Sequence, residues 1–458
     1  MTQPAVRTLV AGWCDPELVF RAHASQQGYT GPGAWPPLVW LDAGPDARDG
    51  FSYVGLDLEQ PLTRWSDLRA AATVATHAGG ERPATSDGQF ALGWVGWLPF
   101  DTGVGWQDPA RKGTTDSTRD ACFSRVNTVI EFDHARHEMT VVTYLGDAAT
   151  ARALETIAHA SASDFPPFEA GSSADATRGS WRDTDDEYLA NIDACRAEIA
   201  AGNAYQLCLT NSYRVDTPFD LSRALAVYRR LRRSNPSHHG AFICLDDTAL
   251  LSSSPEIFLS ISADGRATTK PIKGTRPRGA NAEEDRMLRD ELAQNVKERA
   301  ENVMIVDLMR NDLGRVAQEG STRVDALLTV ESYANVHQLV STVSAQLRPE
   351  CTALDAVEAC FPAGSMTGAP KISAMRILTR LEGGERGIYS GAFGYFGDDG
   401  AAQLAMVIRS LVIDATGAHL GSGGGITIDS DPQEELAEMH LKAAPLLRAL
   451  NGDDTPVI

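Results

Sequence analysis

The stretch GSGGGITIDSDP, Gly421–Pro432, sets the tightest limit on what this chain can fold into. Four glycines lead into the apolar run ITID, which reads as a strand, and an Asp-Pro pair then opens a helix. A dinucleotide-binding turn needs a different order, with a strand first, then glycines, then a helix at once. The order here argues against a doubly wound nucleotide fold. It leaves bare backbone N–H groups that serve either a turn or bulge, or a close approach by a carboxylate. Downstream, Asp431 suits a helix N-cap, Pro432 the first helical position and Glu434 the third residue of a capping box.

Strand and helix patterns alternate along the rest of the chain. Phe90–Asp101 reads as a strand, and Arg125–Asp133 with Glu138–Gly146 reads as a hairpin turning at Asp133–His137. Ser161–Ser180 is rich in Ser, Ala, Gly, Pro and Asp and reads as a linker, with a strand-rich region at 1–160 before it. After it, 181–450 carries most of the candidate chemistry. Tyr188, Ile192, Cys195 and Ile199 recur at helical spacing, and strands are expected at AYQLCLTNSYRV, GAFICLDD, TALLSSSPEIFLSIS and RATTKPIKGT. One long helical stretch is expected from about 282 to 313.

Charge narrows the function. Lys and Arg total 41 against 61 Asp and Glu, a net charge of −20, and no basic stripe is visible. Such a surface repels phosphate backbones, so nucleic acid and anionic membrane are not expected partners. An anionic substrate would need a locally positive pocket or a metal ion. The first residues lack a basic start followed by an apolar run, and no stretch approaches a spanning helix. Seven scattered cysteines without a C-x-x-C pair favour reduced thiols in a cytoplasmic protein.

Several side chains carry two readings each. Glu298 and Glu301 are three apart on a predicted helix, as are Glu435 and Glu438, with Lys442 one turn beyond. The pairs are either solvated acidic faces or, together, a seat for a hard cation such as Mg²⁺, which needs only one or two carboxylates besides water and substrate oxygens. Lys273 is either part of a basic loop or a nucleophile. Glu256, at a strand start, is either a surface carboxylate or a buried acid with a raised pKa. Arg409, inside the apolar run LAMVIRSLVI, needs either a buried ion-pair partner or a substrate carboxylate. Tyr389 raises the same choice, and a lone strand histidine such as His337 is most often structural. No serine- or cysteine-hydrolase signature is present.

Taken in order, the blocks SSSPE, PIKGTRPRG, ENVMIVDLMRNDLGR, VHQLVS, PAGSMTGAPK, YSGAFGYF and GSGGGITIDSDPQEE resemble those of the chorismate-utilising enzymes over about 185–450. This family includes the large subunits of anthranilate synthase and aminodeoxychorismate synthase and the isochorismate and salicylate synthases. The resemblance implies an α+β fold of two stacked, mainly antiparallel sheets flanked by helices, with the site between them and Mg²⁺ as cofactor. It implies Glu301 and Glu438 as metal ligands with Glu298 and Glu435 beside them. Tyr389, Arg409, Gly423 and Gly424 would take the enolpyruvyl carboxylate, with Lys442 nearby, Ser365 on the substrate, and Gly274 and Thr275 lining the ring. Mg²⁺, Arg409 and Lys442 would then reverse the sign of an acidic protein locally.

Two positions discriminate among members. Water-using relatives resemble one another in a lysine where this chain has Gln206. Anthranilate synthases read P-I-A-G-T where this chain reads PIKGT, which is the pattern of the aminodeoxychorismate synthases. The resemblance implies Lys273 as nucleophile at ring C2, with its pKa lowered for attack. It implies Glu256 as general acid for the C4 hydroxyl and His337 as a positioning group, with ammonia then attacking C4 on the route to 4-aminobenzoate and folate. No glutaminase half is visible, so a separate glutamine amidotransferase partner or free ammonia is expected. Anthranilate synthase component I and a catalytically silent chorismate-binding subunit are the alternatives.

Overall fold

The computed structural model describes residues 5–28, 35–77, 89–90, 92–108, 120–162, 179–333 and 336–452. Within them lie two antiparallel sheets, one of 12 strands and one of 9. They stack face to face around an apolar layer that includes Val39, Ile243 and Leu250 from the larger sheet and Val95, Phe393 and Ala405 from the smaller. Helices cover the outer faces. Pro16–Gln26, Asp147–Ala162, Leu221–Ser234 and Pro432–Leu450 pack on the larger sheet, and Val296–Gly314 and Ala353–Cys360 on the smaller. Alternation explains the layering. In Leu38–Asp42 the side chain of Val39 enters the inter-sheet core, while Leu38 and Trp40 turn to the helices.

The strand-rich region before residue 160 supplies strands to both sheets. Leu38–Asp42 pairs with His239–Leu245 in the larger sheet, and Gly93–Leu98 pairs with Ala392–Gly397 in the smaller. The expected hairpin is present, with Asp133 opposite Glu138. Of the expected linker, 163–178 lies outside the described residues. The helix expected after it runs Asp185–Ala200, started by a Thr184/Glu187 capping box. No helix among the described residues is long and apolar enough to cross a membrane.

Four expectations change in the structure, and each change builds the site. TALLSSSPEIFLSIS is two strands, Thr248–Ser254 in the larger sheet and Ile257–Ile261 in the smaller, with Pro255-Glu256 at the crossing. LAMVIRSLVI splits likewise, into Ala402–Met406 in the smaller sheet and Ser410–Asp414 in the larger, so Arg409 sits on a corner at φ +50° and not inside a strand. The two broken strands pair with each other on both sides of the break, so a two-stranded ribbon passes from one sheet to the other. The long helix is also two, Ala282–Gln294 and Val296–Gly314. Asn295 leaves the helical region at φ −60°, ψ 113° and caps the second helix by accepting from the Glu298 N–H. Finally, the glycine run is itself the strand, Gly417–Ile426, and it ends before most of ITID.

Candidate active site

The two crossing corners are joined. Met406 N–H donates to Glu256 O at 3.0 Å, and Ser253 N–H donates to Arg409 O at 3.1 Å. Glu256 therefore stands at the crossing, where it borders a small cavity lined by Phe258 and Met406 of the smaller sheet and by Ile305 and Met309 of the helix that covers it. Burial pushes this carboxyl up to about 7. The Lys273 charge, the Ser365 hydroxyl and the Ile272 N–H pull back only part of that rise. Ser365 thus contacts the candidate acid directly, held on the short turn Gly364–Met366.

Lys273 enters from the strand Ile272–Pro277, whose register against Val336–Gln346 shifts between Ile272 and Thr275. Gly274 makes that bulge at φ +80°, and a Cβ there would stand 2.7 Å from Leu292 Cδ1 and 2.9 Å from Glu298 Cδ. Only glycine accepts both the backbone and the space. The bulge brings Lys273 Nζ within 3.9 Å of Glu301 Oε2. Thr275 lies beyond it, opposite Gln338 and exposed.

Glu298 and Glu301 come from Val296–Gly314, and Glu435 and Glu438 from Pro432–Leu450. Each carboxylate has its own cation. Arg276 Nη1 is 3.7 Å from Glu298, Lys273 is 3.9 Å from Glu301, Lys297 is 3.2 Å from Glu435 and Lys442 is 2.6 Å from Glu438. Glu301 is pushed up by burial and by its neighbours Glu298 and Glu435, against Lys273 and Lys297. Burial also works to raise Glu438, but Lys442, Lys297 and Lys273 hold it below its ordinary value.

The glycine strand forms a bare wall beside these groups. A Cβ at Gly421 would overlap the Tyr389 ring at 2.0 Å, and one at Gly425 would lie 2.2 Å from Gln206 Nε2 and 3.6 Å from Lys273 Nζ. A Cβ at Gly424 would meet Glu435 Oε2 at 3.0 Å, and Lys442 donates to Gly423 O at 2.9 Å. Arg409 donates to Lys442 O at 3.1 Å and has no carboxylate within ion-pair distance among the described residues. Burial lowers its pKa, while Tyr389 and Glu438 counter that effect. An arginine with most of its donors uncommitted beside a glycine wall is arranged to take an anion.

His337 lies on the neighbouring strand, opposite Arg276. Its Nδ1 is bonded to Ser332 Oγ at 2.8 Å and its Nε2 to Asp285 Oδ1 at 3.0 Å, so both ring nitrogens have protein partners. Other residues that hold the site went unread in the sequence. Asn302, fully buried, donates to Pro271 O and Leu339 O and accepts from Ser341, tying the Glu301 helix to the strand pair that carries Lys273. Buried Lys371 bonds to Asp312 at 2.5 Å and to Cys360 O at 2.8 Å, clamping the same helix to the loop that carries Ser365. A polar residue on the apolar face of a helical pattern is the signal that would have found Asn302 and Asp312.

This fold, with four glutamates and their cationic partners gathered beside a glycine strand, defines a class. A crystal structure of anthranilate synthase component I from Streptococcus pneumoniae superposes with a TM-score of 0.73 at 27% identity, covering 93% of this chain and 96% of that one. The chain belongs to the chorismate binding enzyme family, which it matches over residues 46–448. It is 46% identical over 369 residues to an aminodeoxychorismate synthase of Streptomyces griseus, covering 79% of this chain and 50% of that protein. It is 36% identical over 378 residues to anthranilate synthase component 1 of Streptomyces coelicolor, covering 79% and 73% respectively. The chain thus spans about half the length of the Streptomyces griseus relative.

Proposed function

We propose that this chain is the chorismate-handling large subunit of an aminodeoxychorismate synthase, dependent on Mg²⁺, cytoplasmic, and supplied with ammonia by a separate glutamine amidotransferase. One observation carries the reading. Lys273 stands on a bulge that turns it into the same chamber as Glu256, a carboxyl that keeps its proton to about pH 7. An amine able to bond to carbon beside an acid able to release a hydroxyl is what amination through a covalent adduct requires. The name of the Streptomyces griseus relative agrees with this.

The four glutamates fit a hard divalent cation. They offer only carboxylate oxygens, and Glu301 is buried close to two further carboxylates, a crowding that a cation relieves. Among the described residues no three His, Cys, Asp or Glu side chains converge as a ready ligand set. Mg²⁺ needs only one or two protein carboxylates, so Glu301 and Glu438 would hold it, with Glu298 and Glu435 alongside. When bound, the ion would neutralise the ring carboxylate of chorismate.

Arg409 and Tyr389, over the bare strand at Gly423 and Gly424, take the enolpyruvyl carboxylate, and Lys442 adds positive charge. The Lys273 amine bonds to C2, the ring double bonds shift, and the C4 oxygen leaves as water with the proton from Glu256. Ammonia bonds to C4, the double bonds shift back, and the C2–N bond breaks to free the Lys273 amine. The surplus proton on the new C4 nitrogen returns to Glu256. Occupying C2 with lysine keeps ammonia from that carbon, which is the position amination toward anthranilate requires.

The test is product identification with chorismate, Mg²⁺ and an ammonium salt. The expected product is 4-amino-4-deoxychorismate. Fluorescent anthranilate formed without a separate lyase would sink the reading in favour of anthranilate synthase, and binding without turnover would favour a silent subunit. Intact mass of wild type during turnover is expected to show a protein–substrate adduct that Lys273→Ala lacks; an adduct persisting in that variant removes Lys273 from the nucleophile's role.

A further inference from the structure

Of the four cations paired with the glutamate cluster, three have other work in the proposed reaction or the strand that carries it. Lys273 lies at the ring, Lys442 also holds Gly423 O, and Arg276 is shared with Glu291. Lys297 is different. Its described side-chain hydrogen bond is to Glu435 Oε1 at 3.2 Å, and its own side chain is 46% exposed while that of Glu435 is 5% exposed. Glu435 Oε1 also accepts from Ser430 at 2.7 Å, so the carboxylate is fixed and the lysine is the movable member of the pair. The ammonium also lies in the field of Glu301 and Glu438. A single long stem in the first turn of the Val296–Gly314 helix therefore brings one positive charge to the edge of the whole cluster.

We propose that Lys297 is a tethered counter-cation: it closes onto Glu435 when the glutamate cluster holds no divalent ion, and is displaced from it when one enters. The inference rests on the Mg²⁺ reading above. Electrostatics gives the reason. Carboxylates brought together from two helices repel one another, and a buried one left without a partner is costly, so the metal-free fold needs a cation there. A fixed cation would compete permanently with the metal, whereas a half-exposed lysine can withdraw into water at little cost. The consequence is that Mg²⁺ binds only the fraction of molecules in which Lys297 has swung out, and its apparent affinity is reduced by that fraction.

The experiment is Mg²⁺ titration by calorimetry, together with melting curves in EDTA and in saturating Mg²⁺, on wild type, Lys297→Gln and Lys297→Arg. Lys297→Gln is expected to bind Mg²⁺ about two- to fivefold more tightly, the range set by a partly exposed ion pair. It is also expected to melt below wild type in EDTA and level with it in Mg²⁺. Lys297→Arg, which keeps the charge on a fork better suited to a carboxylate, is expected to bind Mg²⁺ no more tightly than wild type. Unchanged or weaker Mg²⁺ binding in Lys297→Gln overturns the proposal, as does tighter binding in Lys297→Arg. Wild type that takes up no Mg²⁺ fails the metal reading itself, a separate result.

Discussion

Glu256 and Glu438 are the same residue type in one chamber, shifted in opposite directions, with Glu298, Glu301 and Glu435 beside Glu438. Glu256 borders an apolar cavity, and burial dominates its pKa over the Lys273 charge, one hydroxyl and one backbone N–H. Each member of the cluster faces a cationic side chain, and Glu438 is held below its ordinary value by three of them. Burial wins at Glu256, whereas at Glu438 the surrounding cations win. The difference comes from neighbours, Lys442 on the same helix and Lys297 and Lys273 from other elements, and not from the glutamates themselves.

The contrast can be broken from either side. The largest effect is expected for Glu256→Gln, which removes the proton donor while preserving shape. kcat is expected to fall by about 10²–10⁴, with Mg²⁺ affinity by calorimetry unchanged. A parallel loss of Mg²⁺ binding would show that the two regions are not separable. Glu301→Gln is expected to do the converse, weakening Mg²⁺ binding by at least about 10–100-fold. The elevated Glu256 pKa should persist in it.

The third prediction is a pH profile. Glu256 must be protonated to act, so turnover at saturating substrate is expected to fall about tenfold per pH unit above about 7. The same raised pKa has a stability consequence of defined sign. A carboxyl raised on folding favours the fold while protonated, so that contribution is present at low pH and is lost as pH rises from the ordinary value of 4.5 through about 7. Glu256→Gln cannot ionise and is therefore expected to melt above wild type at pH 8, though it is nearly inactive. A flat wild-type profile across pH 6–8 would contradict the acid's role. The smallest effect is expected for Gly274→Ala, a loss of about 1–2 kcal/mol in urea unfolding from the positive φ, plus a displaced Lys273 read as a fall in adduct formation.

Much of this chamber was legible in the sequence because its chemistry is written in short blocks. The two Glu pairs lie on helices as their spacing predicts, and the two stacked antiparallel sheets agree with the family they resemble. What stayed hidden depends on pairing partners far away in the chain. SSSPEIFLSIS looks like one continuous strand, and nothing local says that Ser252 pairs with Ser410 in one sheet while Ile257 pairs with Ala405 in the other. Asn295 breaks a helix whose sequence pattern continues across it, because its side chain does better as a cap than as a helical residue. The Asp312–Lys371 clamp spans 59 residues and joins two blocks that each looked self-sufficient.

The double crossing of the ribbon has a mechanical consequence. Because the corners at Glu256 and Arg409 are hydrogen-bonded to one another, they form one rigid joint between the sheets. If the sheets shift against each other, Glu256 and Arg409 travel together. The spacing between the two corners is thus set by the ribbon itself and not by how the two sheets pack on each other.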